Sequence, residues 1–404
     1  MSWARTALSN LALTEKGAIV SGPFGSNIGK RFFVESGVPV IRGNNLSMGC
    51  IEFVDAGFVF LTDDKAAEFK NCEAVSGDLI FTAAGTIGQT GIIPKKSAYE
   101  KYIISNKQLR ARLDPRKANS KFVYYWLKTK EMIDYIIQRN TGSSIPLINL
   151  TILRNIPVPV PPLAVQDQIV TFLNNYDDLI ETNRRRIALL EESARLLYRE
   201  WFVNLRFPGH EQAAVIDGLP PGWVKAPLGD LAFIVMGQSP ESKFYNHDGN
   251  GLPFHQGVTG FGEHFVSHNT YTTQTTRIAE AGDILCSVRA PVGRLNLTLD
   301  KIAIGRGLSA MRSRTGQQSL LLYQLKALFV EEDMIGGGAI FASVTKKELF
   351  AQQLLQPDLE TAAEFNRLAG EIDEQIETLV MQNRLLFEAR DKLLPKLMSG
   401  AIQV

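Results

Sequence analysis

Two stretches, 196 residues apart, limit what this chain can become. Between Leu163 and Trp201 there is neither Gly nor Pro, and Leu173, Tyr176, Ile180, Ile187, Leu190, Ala194, Leu197 and Trp201 follow three- and four-residue steps. That is the seam of a helix packed on a partner helix. Asn183 interrupts it. The seam recurs at Ala369, Ile372, Ile376, Leu379, Leu386, Leu393 and Leu397, with Asn383 as the polar intruder. Ile180-Glu181-Thr182 returns as Ile376-Glu377-Thr378, and Leu189-Leu190 as Leu385-Leu386. The chain therefore reads as two copies of one unit, each closed by a long helix.

The segments before the helices repeat as well. Trp3, Leu8, Leu11 and Ala12 match Trp223, Leu228, Leu231 and Ala232 at an offset of 220. The offset then falls to 215 (Ile19 to Gly22 against Ile234 to Gly237), 214 (Gly37-Val38-Pro39 and Gly43 against Gly251-Leu252-Pro253 and Gly257) and 205 (Gly77-Asp78 and Gly88 against Gly282-Asp283 and Gly293). It reaches 196 where Gly142, Ile148 and Leu153 meet Gly338, Val344 and Leu349. An offset that only falls is what loop insertions in the first copy produce.

Each copy shows short strands broken by Gly-rich turns. Strands are predicted after Gly77 and Gly282, and amphipathic helices over Phe122–Lys128 and Leu320–Phe329. The fold class is α+β: two similar β-rich globules, each followed by a long helix, the two helices pairing as an antiparallel coiled coil about an approximate two-fold. The predicted divisions are 1–160, a helix over 161–206, a Pro/Gly-rich linker over 207–221, 222–356, and a helix over 357–404. Antiparallel pairing with Asn183 opposite Asn383 makes facing residue numbers sum to 566. Ile180 then meets Leu386, Ile187 meets Leu379, Leu190 meets Ile376, Ala194 meets Ile372 and Leu197 meets Ala369, while Tyr176 against Arg390 is the one poor layer. About thirty-five helical residues span roughly 50 Å, more than one turn of DNA at about 34 Å.

Net charge is only +1, but residues 1–160 carry 20 Lys and Arg against 13 Asp and Glu, and Lys95–Lys130 alone holds eleven against two. Thr270–Arg314 holds seven against three. Such local basic faces suit a protein that neutralises phosphates at two places. No stretch is long and apolar enough for a membrane span or secretion signal, so a cytoplasmic location is expected. Cys50, Cys72 and Cys286 are widely separated and read as buried small apolar residues, without a disulfide or zinc role.

Signals for catalysis are weak. Gly22 to Arg31 has the look of a phosphate loop, but Phe24 and Arg31 stand where the motif needs Gly and Ser or Thr. Glu263-His264 with His268 is half of a metal site without a third ligand. No amino-methyltransferase tetrapeptide, no nuclease carboxylate pattern and no nucleophile triad stands out. A binding role is the expectation. A stand-alone nuclease or methyltransferase on the same scaffold, and a purely structural coiled coil, are the alternatives.

Pro161-Pro162-Leu163 with Gln166 and Ile169, the ending Lys392-Leu393-Leu394-Pro395-Lys396-Leu397-Met398-Ser399-Gly400, and a Gly-Asp-Leu or Gly-Asp-Ile opening in both globules resemble the specificity subunit of type I restriction-modification systems. The resemblance spans the chain. It implies a non-catalytic subunit whose two recognition domains each read half of a split, asymmetric site on double-stranded DNA. The helices would act as a ruler and dock two modification subunits. S-adenosylmethionine, ATP and magnesium would sit on those and on motor-nuclease subunits, with no cofactor or metal on this chain. The second globule departs from the pattern in its net charge of −1, from 12 basic and 13 acidic residues over 211–356. Pro395 is expected to end or bend the second helix early.

Reading bases takes forked or amide side chains on loops, with phosphate contacts for position. The candidates in the first globule are Ser26, Asn27, Lys30, Arg42, Asn44, Asn45, Lys107, Gln108 and Arg110. In the second they are Gln238, Ser239, His255, Gln256, Arg289, Arg294 and Arg306. Arg289 leads, because Arg on guanine is the commonest specific contact.

Overall fold

The computed structural model describes residues 3–49, 51–329 and 343–402. Cys50 and Gly338, both used above, lie outside them. The chain divides into two compact units: residues 1–182 with 383–404, and residues 183–382. The division falls inside both long helices, so each unit holds one globule and one half of each helix.

In the first unit, β1 (Arg5–Ala7), β2 (Ile19–Ser21), β3 (Val38–Ile41), β4 (Val59–Leu61), β5 (Glu73–Ala74), β6 (Leu79–Thr82), β7 (Thr90–Ile92), β8 (Tyr102–Ile104), β9 (Gln108–Ala111) and β10 (Pro157–Pro159) follow in order. The second has β11 (Val224–Pro227), β12 (Ala232–Met236), β13 (Tyr245–Asn246), β14 (Leu252–His255), β15 (Tyr271–Thr272), β16 (Ile278–Ala279), β17 (Ile284–Ser287), β18 (Leu295–Leu297), β19 (Ile302–Ile304), β20 (Leu308–Ser313) and β21 (Gln353–Gln356). The sheets correspond. Order β2-β9-β6-β7 repeats as β12-β20-β17-β18, β4-β3-β8-β5 as β15-β14-β19-β16 with β13 added at the edge, and pair β1-β10 as β11-β21. In both units one parallel pair, β3 with β8 and β14 with β19, lies among antiparallel ones.

The Gly-Asp openings are structural devices. Gly77 and Gly282 sit at φ +86° and +84°, a region closed to most side chains. Asp78 accepts the Val75 N–H at 2.9 Å and Asp283 the Glu280 N–H at 2.8 Å. The same carboxylates receive Arg112 Nε at 2.8 Å and Arg312 Nε at 2.7 Å. The helix over Ser120–Leu127 is capped by Asn119, and the next, Lys130–Gln138, by Thr129. Such caps satisfy N–H groups that the first turn leaves orphaned.

The first long helix runs Leu163–Tyr198 and the second Leu359–Ser399. Buried Gln166 explains the start of the first: its amide holds the Pro161 carbonyl at 2.9 Å and receives the Asn119 N–H at 2.8 Å. Inside the second unit the helix halves run antiparallel. Ile187, Leu190, Ile372, Ile376 and Leu379 form one cluster, and Ala194 and Leu197 join Ala369 and Ile372 in another with Trp201, Phe202, Trp223 and Phe365. In the first unit Ile169, Leu173, Leu393, Leu394, Leu397 and Met398 share the main core with Phe122, Trp126 and Leu153. Ile180 is buried and Leu386 half-buried, and Asn183 and Asn383 are both buried.

Three expectations change. Pro395 does not stop its helix, which continues to Ser399, because Leu394, Leu397 and Met398 are all buried and hold that turn against the core. Arg390 makes no poor layer: its Nη1 lies 2.8 Å from Asp177, next to the expected Tyr176, and both side chains are largely buried. Cys286 is buried, and burial pushes its thiol up to about 12, but Cys72 is only partly covered.

Candidate nucleic-acid interface

Most of the predicted polar residues lie on loops that the backbone ties together within each globule. Parallel β3 and β8 finish side by side, so the turn after β3 (Arg42, Gly43, Asn44) lies next to the turn after β8 (Ser105, Asn106, Lys107), tied by the Ser105 N–H to the Ile41 carbonyl at 2.9 Å. The loop after β2 closes on the same place. The Gly22 N–H donates to the Gln108 carbonyl at 3.0 Å, and a Cβ added at Gly22 would lie 1.8 Å from the Ser105 carbonyl oxygen. Only glycine permits that approach.

The second unit repeats this bond for bond. The Gly305 N–H donates to the His255 carbonyl at 2.8 Å, the Gly237 N–H to the Leu308 carbonyl at 2.9 Å, and the Val288 N–H to the Gly307 carbonyl at 2.9 Å, where Ala83 donates to Lys107 at 2.8 Å in the first unit. Gln238, Ser239, Gln256 and Arg306 thereby meet at one edge, with Ser239 Oγ accepting the Arg306 N–H at 3.2 Å. Arg289 and Arg294 belong to the adjoining β17–β18 hairpin, closed by the Ser287 N–H on the Arg294 carbonyl at 2.9 Å.

Exposure divides the candidates. Ser26, Asn27, Lys30, Asn44, Lys107, Gln238, Gln256, Arg289, Arg294 and Arg306 are exposed, and Arg42 and Ser239 are half-buried. Four are interior. Asn45 accepts the Arg42 N–H at 2.9 Å and donates to the Val54 and Ala56 carbonyls at 2.8 and 2.9 Å. Gln108 is paired with the Ser105 hydroxyl, and Arg110 binds the Glu73 and Gly17 carbonyls and faces Asp78 at 3.8 Å. Burial depresses the Arg110 pKa. Asn45 and Arg110 brace these loops from behind, their side chains bound to backbone carbonyls and so turned away from any ligand, and Gln108 is buried as well.

His255 is the fourth. Its Nε2 meets His268 Nδ1 at 2.9 Å, and His268 Nε2 meets Asp300 at 3.0 Å. Burial, then the neighbouring His268, pushes the His255 imidazole down to about 4. It borders a cavity of about 330 Å³ with Tyr245, Phe254 and Gln256. His264 turns instead to Glu191 at 3.2 Å, so His264 and His268 do not form a pair. Among the described residues no three His, Cys, Asp or Glu side chains are placed to hold a metal ion. Nor is any described helix long and apolar enough to cross a membrane.

Sequence reasoning missed Gln89 and Asn106. Half-buried Gln89 receives the Thr82 hydroxyl at 3.0 Å and occupies the place of Arg294 at the 205 offset, so the repeat could have found it. Asn106 is the exposed tip between Ser105 and Lys107, and a Cβ at Gly25 would come within 2.9 Å of its Nδ2.

Comparison with known proteins agrees with this geometry. Residues 32–192 match the family model described as the type I restriction modification DNA specificity domain. The MjaX specificity subunit assigned to a type I restriction enzyme of Methanocaldococcus jannaschii is 29% identical over 91% of this chain and 88% of its own length. The MjaIX specificity subunit of the same organism is 22% identical over 91% and 87%. The crystal structure of a type I restriction-modification S subunit from M. genitalium shares the fold, with a TM-score of 0.58 at 15% identity over 98% of this chain and 96% of that one. With two copies of one globule, each joined to a seam-forming helix, and these relatives along its length, the chain is similar throughout to the specificity subunits of type I restriction-modification systems.

Proposed function

We propose that the chain is the DNA sequence-recognition subunit of a type I restriction-modification complex, and that each globule reads one half of a bipartite, asymmetric site. One observation carries this: the same loop scaffold is built twice, bond for bond, and presents different side chains each time. Asn44 and Lys107 are exposed in the first, beside half-buried Arg42, and Gln238, Gln256, Arg289 and Arg306 in the second. A shared frame with unlike amide and guanidinium ends is what two unlike half-sites require.

In this reading the long helices set the spacing and dock two modification subunits, and motor-nuclease subunits join for cleavage. Adenine methylation and DNA translocation belong to those partners, which bring S-adenosylmethionine, ATP and magnesium. The chain itself contributes binding and orientation, without a catalytic step. Mapping methylated adenines in a host carrying this chain and its partners should give one split motif. Methylation or cleavage by the purified chain alone, or an assembled complex that ignores sequence, would refute the proposal.

A further inference from the structure

Among the described residues Phe24 is the most exposed large apolar side chain, at 80%. The loop that carries it is anchored on either side by buried Pro23 and Ile28. The loop between them is fixed by the Gly22 N–H on Gln108 and by the Asn27 N–H on the Phe24 carbonyl at 2.9 Å. At Gly22 and Gly25 it approaches the Ser105–Lys107 turn too closely to admit a side chain without a shift. The ring is thus held outward on a braced support, at the edge where the reading loops meet.

Its surroundings are basic. Lys30 and Arg31 follow in the same loop, with Arg31 Nη2 on the Ser26 carbonyl at 3.3 Å, and Lys107 and Arg42 occupy the two adjoining turns. A water-facing aromatic among cations suits a polyanion with flat faces to stack on, which describes nucleic acid. At the corresponding place in the second unit, by the 215 offset, stands Ser239, whose hydroxyl is turned to the Arg306 N–H.

Building on the DNA-reading function, we propose that Phe24 is a stacking wedge, inserting at one base step of the half-site read by the first unit while Lys30, Arg31 and Lys107 hold flanking phosphates. The test uses the complex with modification subunits and duplexes bearing its mapped motif, with 2-aminopurine placed step by step through the half that Arg289→Ala leaves unaltered. Wild-type binding should brighten the probe at one step. Phe24→Ala should abolish the brightening and weaken binding at least about 5-fold with an unchanged melting midpoint, and Phe24→Trp should restore both. If Phe24→Ala brightens and binds like wild type, or instead loses the modification subunits, the wedge is wrong while the recognition function stands. If the wild-type complex has no defined motif, the function fails and the wedge with it.

Discussion

Removing Asp177 tests the best-defined interaction in the first unit. Arg390 Nη1 reaches its carboxylate at 2.8 Å, and the Tyr125 hydroxyl donates to it at 2.6 Å. The Arg390 side chain is 7% exposed. Deleting one member of a buried ion pair typically costs about 3–5 kcal/mol, mostly because the other charge is stranded. Here Asp391 also holds Arg390 at 2.6 Å, with its own side chain 60% exposed. That screened partner offsets part of the loss, so Asp177→Ala should cost about 3 kcal/mol. Arg390→Met removes the charge that would be stranded and keeps an apolar side chain of similar length against Phe387. The double variant Asp177→Ala, Arg390→Met should therefore be more stable than Asp177→Ala alone. Two compact units need not melt together, so differential scanning calorimetry with peptide-level hydrogen exchange should assign the lowered transition to the first unit. A double variant no more stable than Asp177→Ala would overturn the stranded-charge argument.

Three further outcomes follow from the site. His255 binds its proton only near pH 4 when folded but near its ordinary 6.5 when unfolded, so the unfolded chain takes up more protons in between. The second unit should lose up to about 3 kcal/mol as pH falls from about 6.5 to 4, and His255→Gln should flatten the melting midpoint across that window. Arg110→Ala, which takes the guanidinium from the Gly17 carbonyl and leaves that of Glu73 to Arg112 Nη2 at 3.4 Å, should destabilise the first unit by about 2 kcal/mol without altering the methylated motif, as denaturation and motif mapping would show. Arg289→Ala should change the motif in one half only, with a cost of about 1–3 kcal/mol for its base pair; equal weakening on unrelated DNA would make Arg289 a phosphate contact.

What the sequence determined alone is what local physics enforces. A three-four apolar seam free of Gly and Pro must be a helix seeking a partner, and Gly77 and Gly282 mark turns whose positive φ other residues resist. The seam partners belong here too: Ile187 and Leu190 cluster with Ile372, Ile376 and Leu379. What tertiary structure decided is which polar residues face inward. Lys107 and Arg110 are three residues apart, yet one is exposed and the other buried, because the carbonyls that receive Arg110 come from Gly17 and Glu73 on distant segments. Arg390 looked misplaced in its seam until Asp177, 213 residues away, was seen to meet it. In its repeat-related place stands Ala194, and there Asp373 takes hydrogen bonds from Ser319 at 2.6 Å and Tyr323 at 2.8 Å instead. Short strands with glycine turns carry too little pattern of their own to say which face is covered. The charge and hydrogen-bond partners that choose it come from other parts of the fold.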